Sequence, residues 1–144
     1  MNEKTIMLVE DNPDDVALTQ RALKRANILN KLIVLNDGAA VLDYFFGPGS
    51  EKRPFPEVIL LDLKLPKVDG LEVLKRLHSH DTTKLLPVIV LTSSKEDKDL
   101  IRSYDLGANS YIRKPVNFNQ FVEAVKQLGL YWLVLNEAPP SPRR

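Results

Sequence analysis

Five polar residues each follow a short apolar run of the sequence, and their types are those of a reactive site. They are Glu10, Asp11, Asp62, Thr92 and Lys114. Carboxylates that share one crevice repel each other unless a cation joins them, and hard oxygen ligands with open positions suit Mg²⁺. A carboxylate that faces Mg²⁺, a lysine and a hydroxyl could attack a phosphoryl group, because the metal and the lysine neutralise its oxygens. The product would be an aspartyl phosphate.

Each of these residues also has a structural explanation when it is taken singly. Asp11, like Asp14 and Asp15, suits the start of a helix, where carboxylates offset the helix macrodipole. The threonine could cap a strand, and the lysine could be a solvated surface charge. Asp62 is harder to explain, because it ends an apolar strand, where an uncompensated carboxylate is costly. The placement of all five residues at strand ends therefore favours one shared site.

The elements that must position these residues are strands and helices in alternation, which is typical of an α/β protein. The predicted strands are residues 6–9, 32–35, 58–61, 88–91 and 110–112, and three of the five predicted helices cover residues 15–26, 39–46 and 71–77. Because the strands are apolar on both faces, we expect a doubly wound, five-stranded parallel sheet of flavodoxin-like order 2-1-3-4-5. The crevice at the carboxyl ends of its first and third strands would hold the five polar residues.

The composition is that of one soluble domain. The chain has 144 residues, 44% of them hydrophobic and 27% charged, and its formal net charge is +1. This balance argues against a generally basic nucleic-acid-binding protein. Cysteine is absent, which excludes disulfides and thiol nucleophiles and fits a reducing compartment. The first apolar run is too short for a signal peptide and no run is long enough to span a membrane, so we expect a cytoplasmic protein.

Two proline-rich segments mark the limits of regular structure. Residues 47–56 hold three prolines and two glycines and are predicted to form a surface loop rather than a helix or a central strand. The last helix is predicted to have Asn117 as its N-cap and to extend through Leu135. We therefore expect one domain over residues 4–136 and a flexible C-terminal tail over residues 137–144.

These motifs, in this order and at these spacings, resemble the receiver domain of two-component response regulators over about residues 4 to 130. The matching motifs are the acidic pair Glu10-Asp11, the phosphoacceptor motif over residues 61–66 with Asp69-Gly70 after it, the hydroxyl of Thr92, and Lys114-Pro115. The segments 10–15 and 130–137 are similar to those of single-domain regulators that partner phytochrome-type sensor histidine kinases.

The resemblance implies that Asp62 takes a phosphoryl group from a kinase phosphohistidine. It also implies that Asp11, Asp62 and the backbone carbonyl of Lys64 bind Mg²⁺, with Glu10 assisting at the metal site through water. Glu10 replaces the aspartate that is commoner in the family, which lengthens the side chain by one carbon. Lys64 places a flexible cation two residues after the phosphoacceptor, where it could affect the access of hydrolytic water.

The resemblance further implies a switch at the ends of the last two strands. Thr92 and Lys114 would contact the phosphoryl oxygens, and Tyr111 matches the aromatic residue that turns inward when the hydroxyl moves. In this family the peptide bond before Pro115 is cis, whereas only about 5–6% of such bonds are cis in proteins generally.

Three functions are compatible with this set of residues to different degrees. The first is a signalling switch with no output domain of its own, which acts through protein contacts and catalyses only its own Mg²⁺-dependent phosphorylation and dephosphorylation. The second is a phosphatase of the dehalogenase type, which needs a second aspartate as general acid where Lys64 stands. The third is a phosphate-independent scaffold, against which the intact reactive set argues. The sequence favours the switch, which is not otherwise an enzyme.

The expected partners are a sensor histidine kinase, for which a bacterial or cyanobacterial phytochrome is a candidate, and an unidentified downstream protein, with neither nucleic acid nor membrane. A homodimer is also expected, because one apolar stripe suffices to dock the last helix on its own sheet. That stripe is Phe121, Val125, Leu128, Trp132 and Leu135, and the predicted dimer residues outside it are Leu130, Tyr131, Leu133 and Val134. The alternative is that residues 47–56 or the proline tail cover these four side chains.

Overall fold

Five strands and five α-helices alternate along the residues that the computed structural model describes, which are 4–93, 96–114 and 117–129. The strands are β1 (Thr5–Val9), β2 (Lys31–Leu35), β3 (Val58–Leu61), β4 (Val88–Thr92) and β5 (Ser110–Arg113). The helices are α1 (Pro13–Arg25), α2 (Gly38–Phe46), α3 (Gly70–His78), α4 (Asp97–Asp105) and α5 (Phe118–Gly129). None of the helices within these ranges is both long enough and apolar enough to cross a bilayer.

The strands form one parallel sheet in the order β2-β1-β3-β4-β5. β1 therefore pairs with both β2 and β3, and Val9 lies opposite Leu35 on one side and Leu61 on the other. All residues of β1, β3 and β4 are buried, as expected for strands covered by helices on both faces. The predicted fold class and strand order are confirmed.

Alternate residues of the strands belong to two hydrophobic clusters, one on each face of the sheet. The first cluster joins Met7, Val9 and Ile59 to buried residues of α2 and α3. The second joins Ile6 and Leu8 to buried residues of α1 and α5. Side chains of a strand alternate between its faces, so a continuous apolar run supplies both clusters at once. This two-sided packing fixes the sheet edge at which the polar residues lie.

Helices α1 and α5 begin at side-chain caps that the sequence encodes. The side chain of Asn12 accepts from the backbone N–H groups of Asp14 and Asp15, and a proline follows at the first helical position. The side chain of Asn117 accepts from the N–H groups at the start of α5, which confirms its predicted role as N-cap. The predicted continuation of this helix to Leu135 lies outside the described residues.

The segment 47–56 is more ordered than a surface loop. It contains one 3₁₀ turn, Ser50–Lys52, so the expectation of no helix in this segment was wrong for a single turn. A 3₁₀ turn needs few residues, and Gly49 starts it at a φ of 79°, which glycine adopts without strain. Phe55 also packs against the first hydrophobic cluster, with its ring 5.9 Å from that of Phe45.

Candidate functional site

The backbone of the sheet places two carboxylates side by side. Glu10 and Asp62 directly follow the neighbouring strands β1 and β3, and the Asp62 N–H donates to the carbonyl of Val9 (3.0 Å). The Glu10 N–H donates to the carbonyl of Leu35 on the other neighbouring strand (3.0 Å). Both residues thus continue the backbone hydrogen bonding of the sheet by one position, which fixes the points from which their side chains extend.

Three carboxylates converge at this edge of the sheet. Glu10, Asp11 and Asp62 each offer one oxygen, and these oxygens lie within 4.8 Å of one another. Glu10 and Asp62 are buried, at 2% and 5% exposure, whereas Asp11 is exposed. A hard divalent cation such as Mg²⁺ or Mn²⁺ prefers such oxygens and offsets their repulsion. The donor set therefore fits a divalent metal with one side open to solvent.

Lys114 brings a positive charge into the same group from the far side of the sheet. Its N–H donates to the carbonyl of Thr92 (2.7 Å), which fixes the residue just beyond β5. Its Nζ lies 2.6 Å from Glu10 Oε1, 2.8 Å from Asp15 Oδ2 and 3.1 Å from Asp62 Oδ2. An ammonium has three N–H donors, and here each has a carboxylate acceptor.

The electrostatics of the site follow from this crowding. Burial raises the pKa of Glu10 to about 7; the neighbouring Asp62 also raises the pKa, and the hydrogen bond from Lys114 opposes the rise. Burial by itself would lower the pKa of Lys114, but hydrogen bonds to Asp15 and Glu10 raise that pKa above its ordinary value. Lys114 is therefore charged throughout the neutral range, while Glu10 titrates within it.

Asp15 is a member of this site that the sequence analysis assigned only to the start of a helix. Its side chain lies in the first turn of α1 and is 32% exposed, yet it contacts Lys114 from 99 residues away. The sequence offered no local signal for this contact, because α1 begins at Pro13 and a carboxylate in its first turn is already explained by the helix start.

The remaining predicted residues are placed as follows. Thr92 is fully buried at the end of β4, and Tyr111, in β5, packs partly buried against the first hydrophobic cluster. Lys64 is exposed, and its backbone N–H donates to Asp62 Oδ1 (3.2 Å). Pro115 and the predicted dimer residues Leu130, Tyr131, Leu133 and Val134 lie outside the described residues.

Asp62 is surrounded by other carboxylates, by the ammonium of Lys114 and by a side that is open to solvent. Asp62 has one carboxylate oxygen beside the Lys64 N–H and the other beside the Lys114 ammonium. Both donors hold the carboxylate in place, and a carboxylate oxygen can act as a nucleophile. The Asp62 carboxylate could attack a phosphoryl group that approaches from the exposed side, and Lys114 could neutralise the oxygens of that group.

Comparison with known proteins matches nearly the whole chain. Residues 6–126 match the family described as the response regulator receiver domain. The chain is 41% identical over 134 residues to the probable methanogenesis regulatory protein FilR2 of Methanothrix harundinacea, which covers 93% of this chain and 86% of that protein. It is also 41% identical over 131 residues to the response regulator Rcp1 of Synechocystis, with 90% and 89% covered.

A solved structure agrees with this assignment. The crystal structure of the phosphorylated cyanobacterial phytochrome response regulator RcpA is 38% identical and superposes with a TM-score of 0.88. The alignment covers 96% of this chain and 100% of that one. The residues of the candidate site therefore lie in a fold that is shared with a family known for phosphorylation-dependent signalling. The chain belongs to the response regulator receiver domain family.

Proposed function

We propose that Asp62 is the residue through which this receiver domain acts as a signalling switch, by accepting a phosphoryl group from a sensor histidine kinase. The observation that carries the proposal is the Asp62 carboxylate, 7% exposed, with the Lys114 Nζ 3.1 Å away. In the transfer, a carboxylate oxygen of Asp62 bonds to phosphorus. The bond between phosphorus and the imidazole nitrogen of the donor histidine breaks, and its electron pair stays on that nitrogen. The protein then carries an aspartyl phosphate and turns over no other substrate.

The acidic group beside Asp62 supports a Mg²⁺ requirement for this transfer. Asp11 and Asp62, together with the backbone carbonyl of Lys64, would bind the ion, and Glu10 would assist through water. A bound Mg²⁺ supplies positive charge that neutralises the phosphoryl oxygens. Asp11→Ala should therefore lower Mg²⁺-dependent phosphorylation without loss of the fold, because Asp11 is exposed and at the rim.

Thr92 and Lys114 are proposed to contact the phosphoryl oxygens once Asp62 is modified. Thr92 ends β4 and Tyr111 lies on the adjacent β5, where Val90 and Tyr111 are in register. A hydroxyl that moves towards the phosphoryl group vacates space that the aromatic ring can fill. Such a pair has two packed arrangements, and one new charge biases the choice between them.

The proposed partners are proteins. Rcp1 and RcpA are named as response regulators, and RcpA as a phytochrome response regulator, which supports a phytochrome-type kinase as the donor. The phosphorylated protein would act in the cytoplasm through contacts with a downstream protein and with a second copy of itself. The near-neutral net charge of +1 offers little attraction for nucleic acid.

The direct test is labelling with a small acyl phosphate and Mg²⁺. The parent protein should gain a single phosphoryl group by intact-mass spectrometry, and the product should be acid-stable and base-labile. Asp62→Asn keeps the shape of the side chain but removes its charge, so labelling should vanish while the circular dichroism spectrum stays the same. Labelling of the variant at the parental rate would show that another residue is the acceptor.

The same experiment separates the alternatives and tests the switch. Continuous release of inorganic phosphate would indicate a phosphatase, and a parent that takes no label would indicate a scaffold. Thr92→Ala should still be labelled, because it leaves the nucleophile intact. It should lose most of the change that phosphorylation causes in the NMR signals of Tyr111, and a full response would refute the proposed coupling.

A further inference from the structure

Asp15 is a partner of Lys114 to which the proposed reaction gives no role. Its Oδ2 lies 2.8 Å from the Lys114 Nζ, closer than Asp62 Oδ2 at 3.1 Å. The Asp15 side chain is 32% exposed, against 2% for Glu10 and 7% for Asp62. Asp15 is thus the partner that water can most easily replace.

The start of α1 holds the backbone of Asp15 in place. The side chain of Asn12 accepts from the Asp15 N–H (3.4 Å), and the carbonyl of Asp15 accepts from the Thr19 hydroxyl (2.9 Å). Thr19 is itself buried. The contact with Lys114 therefore joins a fixed turn of α1 to the residue that follows β5, and it is not a chance pairing of two flexible surface chains.

All three N–H donors of Lys114 have carboxylate acceptors before phosphorylation. A phosphoryl group on Asp62 takes over the contact that Asp62 Oδ2 makes with the Nζ, and its further anionic oxygens compete for the other two N–H donors. Glu10 is buried, so loss of the ammonium would be costly for it. Asp15 can instead turn to solvent, so its contact is the one that this competition displaces most easily.

We infer that Asp15 is a positioning residue that shares the Lys114 ammonium with Asp62 before phosphorylation and competes with the phosphoryl group for it afterwards. This inference rests on the proposed role of Asp62 and Lys114. The contact stabilises the unphosphorylated protein more than the phosphorylated one. Removing it should therefore shift the equilibrium towards the phosphoryl-bound state.

The test measures the affinity for beryllofluoride, a phosphoryl mimic, at saturating Mg²⁺ by isothermal titration calorimetry. Asp15→Asn should bind the mimic more tightly than the parent by up to about fivefold, the upper end of the effect that an exposed ion pair typically has. Asp15→Glu keeps a carboxylate within reach of Lys114 and should restore the parental affinity. If Asp15→Asn lowers the melting temperature markedly, Asp15→Ser provides a second uncharged variant at the same helix position.

Asp14→Asn is the matched control. Asp14 lies one residue earlier in the same turn, is exposed, and is not among the partners of Lys114 that the structure describes. The control loses the same charge near the helix start and should bind the mimic as the parent does. Equal tightening in both variants, or no tightening in Asp15→Asn, would overturn the inference. A parent that neither binds the mimic nor takes a phosphoryl group would instead overturn the proposed function.

Discussion

Glu10 shows how much the site depends on single residues. Its side chain is 2% exposed, and its oxygens accept from the Asn12 N–H (3.3 Å) and the Lys114 Nζ (2.6 Å). These two donors make burial of a carboxylate possible, but they do not remove its cost, which appears as the raised pKa of about 7. Burial thus favours the protonated form of Glu10, and the ionised form lowers the stability of the folded protein.

This cost predicts a pH dependence of folding in metal-free protein. The pKa of Glu10 is about 7 in the folded state and 4.5 in the unfolded state, so the folded state holds the extra proton between these values. The contribution of Glu10 to the free energy of unfolding should therefore fall as the pH rises from about 4.5 to about 7, by roughly 3–4 kcal/mol at roughly 1.4 kcal/mol per pKa unit. Urea unfolding in the presence of EDTA at several pH values measures this fall in the free energy of unfolding.

The comparison for this prediction is Glu10→Gln, which cannot titrate. Its unfolding free energy should lack the decline across this window, whereas Glu123→Gln, an exposed position on α5, should keep the parental profile. Parallel pH profiles for the parent and Glu10→Gln would contradict a raised pKa at this position.

Residue types and spacing were enough to predict most of the site. Glu10, Asp62 and Lys114 were expected to converge because parallel strands end at one edge, and the structure brings them within hydrogen-bonding distance of one ammonium. Asp15 was missed because a carboxylate in the first turn of a helix already has a sufficient local explanation. Local patterns cannot show which of two adjacent aspartates, Asp14 or Asp15, is turned towards a residue 99 positions away.

At the scale of elements, the loop between β3 and α3 carries Asp62, and the backbone at its two ends is tightly packed. The Gly70 N–H donates back to the carbonyl of Leu63 (2.8 Å). A Cβ at Gly70 would overlap the carbonyl oxygen of Asp62 and the Cα of Leu63. Both are backbone atoms, which cannot rotate out of the way as a side chain can.

Gly70→Ala should therefore displace the phosphoacceptor. We expect a loss of about 1–3 kcal/mol in unfolding free energy, as for other overpacked positions, and a much slower rate of labelling by an acyl phosphate. Gly49→Ala is the control, because Gly49 has a φ of 79° but open space around the position of a Cβ. Its left-handed backbone should cost about 1–2 kcal/mol and leave labelling unchanged. Equal labelling rates in the two variants would contradict a special role for Gly70.

The elements themselves were predictable wherever one pattern dominated. The apolar runs predict the bounds of β3 correctly and those of the other four strands to within one residue at each end. Strands that are buried on both faces form continuous apolar runs, so their ends are easy to recognise in the sequence. The 3₁₀ turn Ser50–Lys52 is not predictable from the sequence, because proline and glycine disfavour helix in this segment. A 3₁₀ turn is closed by hydrogen bonds between residues three positions apart, and here the backbone N–H groups of Lys52 and Arg53 are the donors. Such a short turn fits between two prolines.

At the scale of the whole molecule, the inner side of α5 behaves as predicted over its described length. Phe121 and Val125 are buried at 3% and 4% exposure in the cluster shared with α1. These two residues account for the docking of the described part of α5 on its own sheet. The side chains of the rest of the stripe and of the predicted dimer residues lie outside the part of the chain that the structure describes.

We expect Leu130, Tyr131, Leu133 and Val134 to form a homodimer contact. Each residue occurs twice at a two-fold interface, and an aromatic at its centre is worth roughly 2 kcal/mol or more on truncation. Sedimentation at micromolar concentration should therefore show a dimer for the parent and a monomer for the double variant Tyr131→Ala, Leu133→Ala. Gln127→Ala, at an exposed position of α5, should remain dimeric. A parent that is monomeric with and without phosphorylation would rule out the contact.

The hydrogen bond between Lys114 and Glu10 spans 104 residues, and this separation has a consequence for newly made protein. The ribosome synthesises Asp62 well before Lys114, and Lys114 is located only when β5 has paired with β4. A nascent or truncated chain that lacks β5 therefore has Asp62 without the ammonium beside it. On the proposed roles of these two residues, competence to receive a signal requires β5, so we expect that incomplete molecules do not divert phosphoryl groups from finished ones.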